Sequence, residues 1–175
     1  MMSIVSFFWL CVILFGFVGW IRGWAKELLV TFSAILALAL NFILRRYIPI
    51  VENMPEEDVT LFWVRTAIMF VLVYFGYQTV SLSRLTAKAT REKIQDALFG
   101  SILGGFNGFL IVGSILYWMD VANYPYPDFI SAPIDPEIVD TVNQMMTYMP
   151  PQLLGEPGIY FAIILAFIFV LVVYI

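Results

Sequence analysis

The sequence predicts an all-α fold: a polytopic membrane helical bundle of five transmembrane helices with an amphipathic helix on its outer surface. Three observations predict it. Hydrophobic residues make up 62% of the 175-residue chain and charged residues 13%, with mean hydropathy +0.91. A soluble domain runs about 45–50% apolar and about 25% charged, so the excess apolar surface has to face lipid. Five apolar runs each approach the roughly 20 residues that a helix needs to cross a bilayer core of about 30 Å. Finally, Gly100, Gly104 and Gly108 recur four apart inside one of those runs. On a helix they form one stripe with almost no side chain, a face that another helix can approach backbone to backbone in lipid.

The first span runs from Ile4 to Ile21. Basic residues follow it and none precedes it, which is the wrong order for a cleavable signal peptide. Arg22-Gly23 then separates it from the second span, Trp24 to Leu44, so the two are expected to form a tight antiparallel hairpin. Gly23 supplies the backbone freedom such a turn needs, and Gly16 and Gly19 thin one side of the first helix for a close neighbour. The third span is Leu61 to Leu82, with Arg65 near its start. The fourth is Ala97 to Met119, and the fifth Gly158 to Ile175.

Of the connections, Ser83 to Gln95 is polar, basic and free of helix breakers, and reads as a helical extension or a short interfacial helix. Asp120 to Pro157 is the largest piece outside the spans. Within it Tyr124-Pro125-Tyr126-Pro127 is expected to be extended. Asp135-Pro136-Glu137 has the form of a helix start, with Asp as N-cap and Pro at the first helical position. Ile138, Val142, Met145, Met146 and Met149 follow at helical spacing, and Pro150-Pro151 is expected to end that helix. The division expected is residues 1–150 as a membrane domain of four spans with its outer amphipathic segment, and 151–175 as an additional C-terminal transmembrane helix.

Charge sets an expected orientation. Every Lys and Arg lies at or before Lys93, so the later acids have no basic partner downstream. Connections one and three carry six basic residues: Arg22, Lys26, Arg84, Lys88, Arg91 and Lys93. Connection two carries Arg45 and Arg46 among Glu52, Glu56, Glu57 and Asp58, and connection four carries none. Basic loops stay in the cytoplasm, which puts the N-terminus outside and the C-terminus inside. The asymmetry speaks to membrane topology and gives no reason to expect nucleic-acid binding.

Chemistry is sparse. There is no histidine, which excludes a His general base and His-ligated haem, chlorophyll or zinc within this chain. The single Cys11 cannot form an intrachain disulfide and reads as a small buried hydrophobe. No nucleophile–base–acid set, metal-ligand spacing, phosphate loop or dinucleotide fingerprint is visible, so the chain is expected to be no enzyme and to need no cofactor. Polar groups near membrane depth are the default functional candidates: Glu27, Asn41, Arg65, Asp96 and Asn107. Glu27, one turn inside the second span, is expected to lock the hairpin with Arg22. Asp96 is expected to cap the glycine helix it leads, and Asn107 to hydrogen-bond across a helix interface.

Two stretches taken together resemble a known family. Gly19-Trp-Ile-Arg22-Gly23-Trp-Ala-Lys26-Glu27 is similar to the Arg-Gly-x-x-x-Glu element of the colicin V production protein family. Asp96-x-x-x-Gly100-x-x-x-Gly104-x-x-x-Gly108 is similar to its Asp-led glycine helix. The resemblance covers roughly residues 4–150. It implies a bacterial inner-membrane protein linked to colicin V production and envelope homeostasis, with no established enzymatic activity. Arg22, Gly23, Glu27, Asp96, Gly100, Gly104 and Gly108 carry over as matching positions. Asn107 and Ala97 depart from it, standing where the family often has arginine, and the fifth span is an addition to its four-span pattern.

The leading expectation is a non-enzymatic scaffold or envelope-homeostasis protein acting through glycine-mediated helix packing. Its partners would be the bilayer and other membrane subunits or a second copy. One alternative is an accessory subunit of a respiratory or photosynthetic complex. Another is a channel or transporter subunit, which requires Glu27, Asn41, Asn107 and Arg65 to converge inside the bundle.

Overall fold

The computed structural model describes residues 3–78, 93–128 and 130–174. Every regular element among them is helical: α1 (Ile4–Arg22), α2 (Trp24–Tyr47), α3 (Pro49–Glu52), α4 (Val59–Tyr77), α5 (Lys93–Val121), α6 (Pro136–Thr147), α7 (Pro150–Leu153) and α8 (Gly158–Tyr174). Four of these, α1, α2, α4 and α5, are long and apolar enough to cross a membrane. The apolar helix α8 has 17 residues, about 25 Å at 1.5 Å per residue, and falls short of the others.

The bundle is built around α2 and α5. Helix α2 packs on α4, α5 and α8, while α1 lies along α5. The inward face of α2 carries small residues, Ala34, Ala37 and Ala39, beside Val30, Ile35 and Leu38. Outside, the bundle is apolar: Phe17, Ile21, Phe75, Ile102, Phe161 and Leu165 are all more than 60% exposed. Large apolar groups outside and small ones at the contacts is the arrangement expected where lipid is the solvent, because burying apolar groups there gains nothing over leaving them in acyl chains.

Helix ends follow local chemistry. Asp58 caps α4 by accepting from the Thr60 amide at 2.6 Å, which holds its carboxyl below the ordinary carboxylate range. Asp135 caps α6 by accepting from the Glu137 amide at 3.1 Å, with Pro136 at the first helical position. Val142, Met146 and Met149 are buried against the bundle and Met145 is partly buried, so α6 lays its Met-rich face on its own chain.

Three local expectations change. Spans one and two are joined by the tight turn at Gly23, but α1 makes little contact with α2 and packs on α5 instead, because the glycines of both those helices face one another. Tyr124 is not extended: Asn123 and Tyr124 take φ of 55° and 52°, terminating α5 in a left-handed turn. There the Tyr124 ring is buried and its hydroxyl donates to Asp120 at 2.9 Å. Pro150-Pro151 does not end α6, which stops at Thr147; Pro150 instead opens α7, where its missing N–H costs nothing. Of the basic connection Ser83 to Gln95, residues 83–92 lie outside the described residues, and α5 is already formed at Lys93.

Candidate functional site: a glycine contact and its polar lock

Gly19 of α1 meets Gly100 and Gly104 of α5 with nothing between the backbones. A β-carbon on Gly19 would fall on the Gly100 carbonyl oxygen and lie 2.9 Å from the Gly104 α-carbon. A β-carbon on Gly100 would in turn fall on the Gly19 carbonyl oxygen and lie 3.0 Å from the Gly23 α-carbon. On Gly104 it would strike the Phe15 carbonyl, and on Gly108 it would lie 2.9 Å from the Phe15 β-carbon. The two helices therefore present α-hydrogens to each other's carbonyl oxygens, a weak but repeated attraction that only glycine permits. The stripe on α5 is occupied by this chain's own first helix.

At the end of that contact the chain turns. Gly23 has φ +83°, a region that L side chains rarely adopt. The Asp96 carboxylate fills the space a side chain would need, 2.6 Å from where a Gly23 β-carbon would sit. The Trp24 amide, first in α2, donates to Asp96 at 3.2 Å. Asp96 thus sits inside α5 and caps α2, not its own helix as its sequence position suggests. An acid there also favours the positive N-terminal end of the α2 dipole.

One turn further, Glu27 is fully buried. Its carboxylate lies 2.8 Å from the Arg22 Nε, and its other oxygen accepts from Asn107 Nδ2 at 2.8 Å. The same Asn107 nitrogen donates its second proton to the Glu27 carbonyl at 2.9 Å, and Asn107 Oδ1 accepts from the Thr31 hydroxyl at 2.6 Å. The Asn107 amide thereby fills both donors and one acceptor site. The Arg22 guanidinium stacks on the Tyr77 ring, 4.4 Å from its centroid, and approaches the Tyr77 carbonyl at 3.4 Å. The buried Tyr77 hydroxyl has no partner among the described residues, so its ring face, not its hydroxyl, serves the cluster. Arg22 remains 23% exposed while Glu27 is at 0%.

The result is a charged and hydrogen-bonded lock joining α1, α2, α4 and α5 beside the glycine contact. Chemically it can hold helices in register; no nucleophile–base pair lies within it. Of the residues singled out from sequence, Arg22, Glu27 and Asn107 come together in the lock, and Gly23 with Asp96 forms the turn beside it. Gly100, Gly104 and Gly108 line the contact. Asn41 and Arg65 lie elsewhere: Asn41 Nδ2 donates to the Arg65 carbonyl at 3.3 Å, fourteen positions along α2 from Glu27 and about 21 Å away along the axis, with Ala34, Ile35 and Leu38 buried between. The four polar groups that a conducting path would require form two separate pairs.

Sequence reasoning missed Thr31 and Tyr77. Thr31 was findable, since it lies four residues after Glu27 on the same helical face. Tyr77 carried no signal, being 55 positions from Arg22.

A family model described as colicin V production protein matches residues 6–133, which takes in α1, α2, α4 and α5 and stops before α6. No curated protein and no solved structure matches the chain.

Proposed function

The chain belongs to the colicin V production protein family, and from that premise we propose that it is a non-enzymatic scaffold of the bacterial cytoplasmic membrane, serving an envelope-homeostasis or colicin V production-type role. Its work is mechanical: a rigid helical frame presents a fixed apolar surface to lipid and to neighbouring membrane subunits or a second copy. The observation that carries this reading is the pairing of Gly19 with Gly100 and Gly104 beside the buried Glu27–Arg22 lock. Both features fix helix positions, and neither offers a reacting group. In the proposed topology the N-terminus is outside, α8 is a fifth span and the C-terminus is cytoplasmic. The lock then lies toward the cytoplasmic end, in keeping with Arg22 and Lys26.

The separation of Glu27 and Asn107 from Asn41 and Arg65 removes the support for a channel or transporter. An accessory role in a larger complex is compatible with the frame, and native pull-down with mass spectrometry distinguishes it from a free-standing protein.

The test is complementation in a bacterium deleted for its own family member, scored by envelope integrity. The wild-type chain should restore it, and Gly104→Leu, which puts a large side chain where even a β-carbon strikes Phe15, should not. Full restoration by a Gly104→Leu chain shown to have lost its α1–α5 contact would overturn the reading.

A further inference from the structure

At the opposite end of the bundle from the lock, a cavity of about 590 Å³ opens between the C-terminal end of α2, the start of α4, the end of α5 and the segment from α7 into α8. Its volume is that of a small-molecule site, and its lining changes character with depth. Leu38, Phe42, Trp118, Leu154 and Ile159 make an apolar floor and wall. Arg45, Arg46 and Arg65 stand with Glu56 and Glu156 toward the mouth. Along α2 the change from Leu38 to Arg46 spans eight residues, about 12 Å. Exposure follows the same gradient: 5% at Leu38, 12% and 29% at the Arg65 and Arg45 side chains, and 53% at Arg46.

The charges do not cancel. Arg46 pairs with Glu156 at 2.8 Å, but Arg45 and Arg65 share the single carboxylate of Glu56, at 2.7 and 2.8 Å. Each Glu56 oxygen takes one arginine. Two guanidinium groups, each a planar fork of five N–H donors, thus face one anion, and the lining keeps one positive charge in excess. Guanidinium forks match phosphate oxygens in shape as well as charge. The arginines lie in the last turn of α2 and within the first two turns of α4. Helix α2 has 24 residues, about 36 Å, longer than a bilayer core of about 30 Å. A spanning α2 would carry this end to the headgroups, and the apolar wall runs from there toward the bundle centre.

We propose that this cavity binds the headgroup of an anionic phospholipid, its phosphate held by Arg45 and Arg65 and the upper part of an acyl chain lying on Phe42, Leu154 and Ile159. Leu154, Glu156 and Ile159 fall outside the family-matched residues 6–133. The C-terminal segment therefore supplies one wall of the site, which gives that addition a purpose: it closes a lipid-binding cavity beside the C-terminal end of α2.

The experiment is native mass spectrometry of the full chain released from micelles. It is equilibrated with phosphatidylglycerol, phosphatidylcholine or water-soluble glycerol phosphate, for the wild type, Arg45→Gln and Leu154→Trp. One uncompensated basic group gives about a fivefold preference for the anionic lipid. The wild type should retain one phosphatidylglycerol per chain about fivefold over phosphatidylcholine. Arg45→Gln should reduce that ratio to near one, and Leu154→Trp, which crowds the apolar wall of the cavity and keeps every charge, should lower the retention of both lipids. Equal retention of the two lipids by the wild type overturns the proposal, as does undiminished retention by Leu154→Trp. Displacement of the lipid by glycerol phosphate alone would show a water-soluble anion to be the ligand and would also overturn it. If Arg45→Gln fails to fold, the Leu154→Trp result decides.

Discussion

Gly16 and Gly19 lie one turn apart on the buried side of α1, yet Gly→Ala should have opposite effects at the two. At Gly19 the new methyl carbon would lie 2.8 Å from the Gly100 carbonyl carbon and 2.9 Å from the Gly104 α-carbon. Ordinary carbon–carbon contact is about 3.5–4.0 Å. Both obstacles are backbone and cannot rotate away, so α1 and α5 must part by roughly 1 Å. Overpacking of this kind costs about 1–3 kcal/mol. Alanine returns up to about 1 kcal/mol of helix propensity. Because the β-carbon also falls on the Gly100 carbonyl oxygen, the overpacking cost belongs in the upper part of its range, about 2–3 kcal/mol, and the net is a loss of about 1–2 kcal/mol, a five- to thirtyfold fall in the folded-to-unfolded ratio. At Gly16 the nearest atom to the new carbon is the Ser101 carbonyl oxygen at 3.5 Å, an ordinary contact. There the propensity gain stands alone, and Gly16→Ala should match or exceed the wild type by up to about 1 kcal/mol. Reversible unfolding in mixed micelles, followed by tryptophan fluorescence, measures both. A Gly19→Ala protein as stable as the wild type, or equal losses at the two sites, would refute the claim of backbone-to-backbone contact at Gly19.

The lock should be asymmetric. Arg22→Gln leaves the fully buried Glu27 without its counter-charge and should cost about 3–5 kcal/mol, whereas Glu27→Gln leaves a partly exposed arginine that reaches water and should cost clearly less; the same unfolding assay ranks them. Asn107→Leu removes both donors to Glu27 and the acceptor for Thr31, and should destabilise by about 1–3 kcal/mol, more than Asn41→Leu, which removes a long bond of 3.3 Å to the Arg65 carbonyl. Asp96→Ala should cost about 1 kcal/mol, as the loss of a helix cap does, with faster amide exchange at Trp24 as its local signature; unchanged exchange there would remove Asp96 from the turn.

The all-helical membrane class was legible because composition and run length answer to the bilayer alone. The α6 cap was legible because Asp135, Pro136 and Glu137 act within a few residues of one another. So was the pairing of Glu27 with Arg22, which is near in sequence; that Asn107, beside Gly108, bonds across a helix interface was legible too, but not that its partner is Glu27. What sequence could not give is which surfaces meet. The turn at Gly23 makes α1 and α2 neighbours in sequence, but the glycine faces decide that α1 lies on α5, and no local pattern ranks those two contacts. Asp96 illustrates the same limit. Its place at the head of α5 suits a cap for that helix, but only the approach of α5 to Gly23 reveals that the amide it accepts from belongs to Trp24. The cavity was equally hidden, since Arg45, Arg65 and Leu154 come from three separate helix ends.

The glycine stripe of α5 is filled by α1 of the same chain. An ideal β-carbon at Gly16 lies 3.6 Å from Ser101 Oγ, so cysteines at the two positions would bring their sulfurs close together, as a disulfide requires. The most direct measurement is oxidative crosslinking in native membranes of a Gly16→Cys, Ser101→Cys chain with Cys11 replaced by serine. A crosslink within one chain is expected, seen as a monomer with both thiols consumed. A crosslinked dimer, or two thiols left free under conditions that oxidise a control pair, would contradict it.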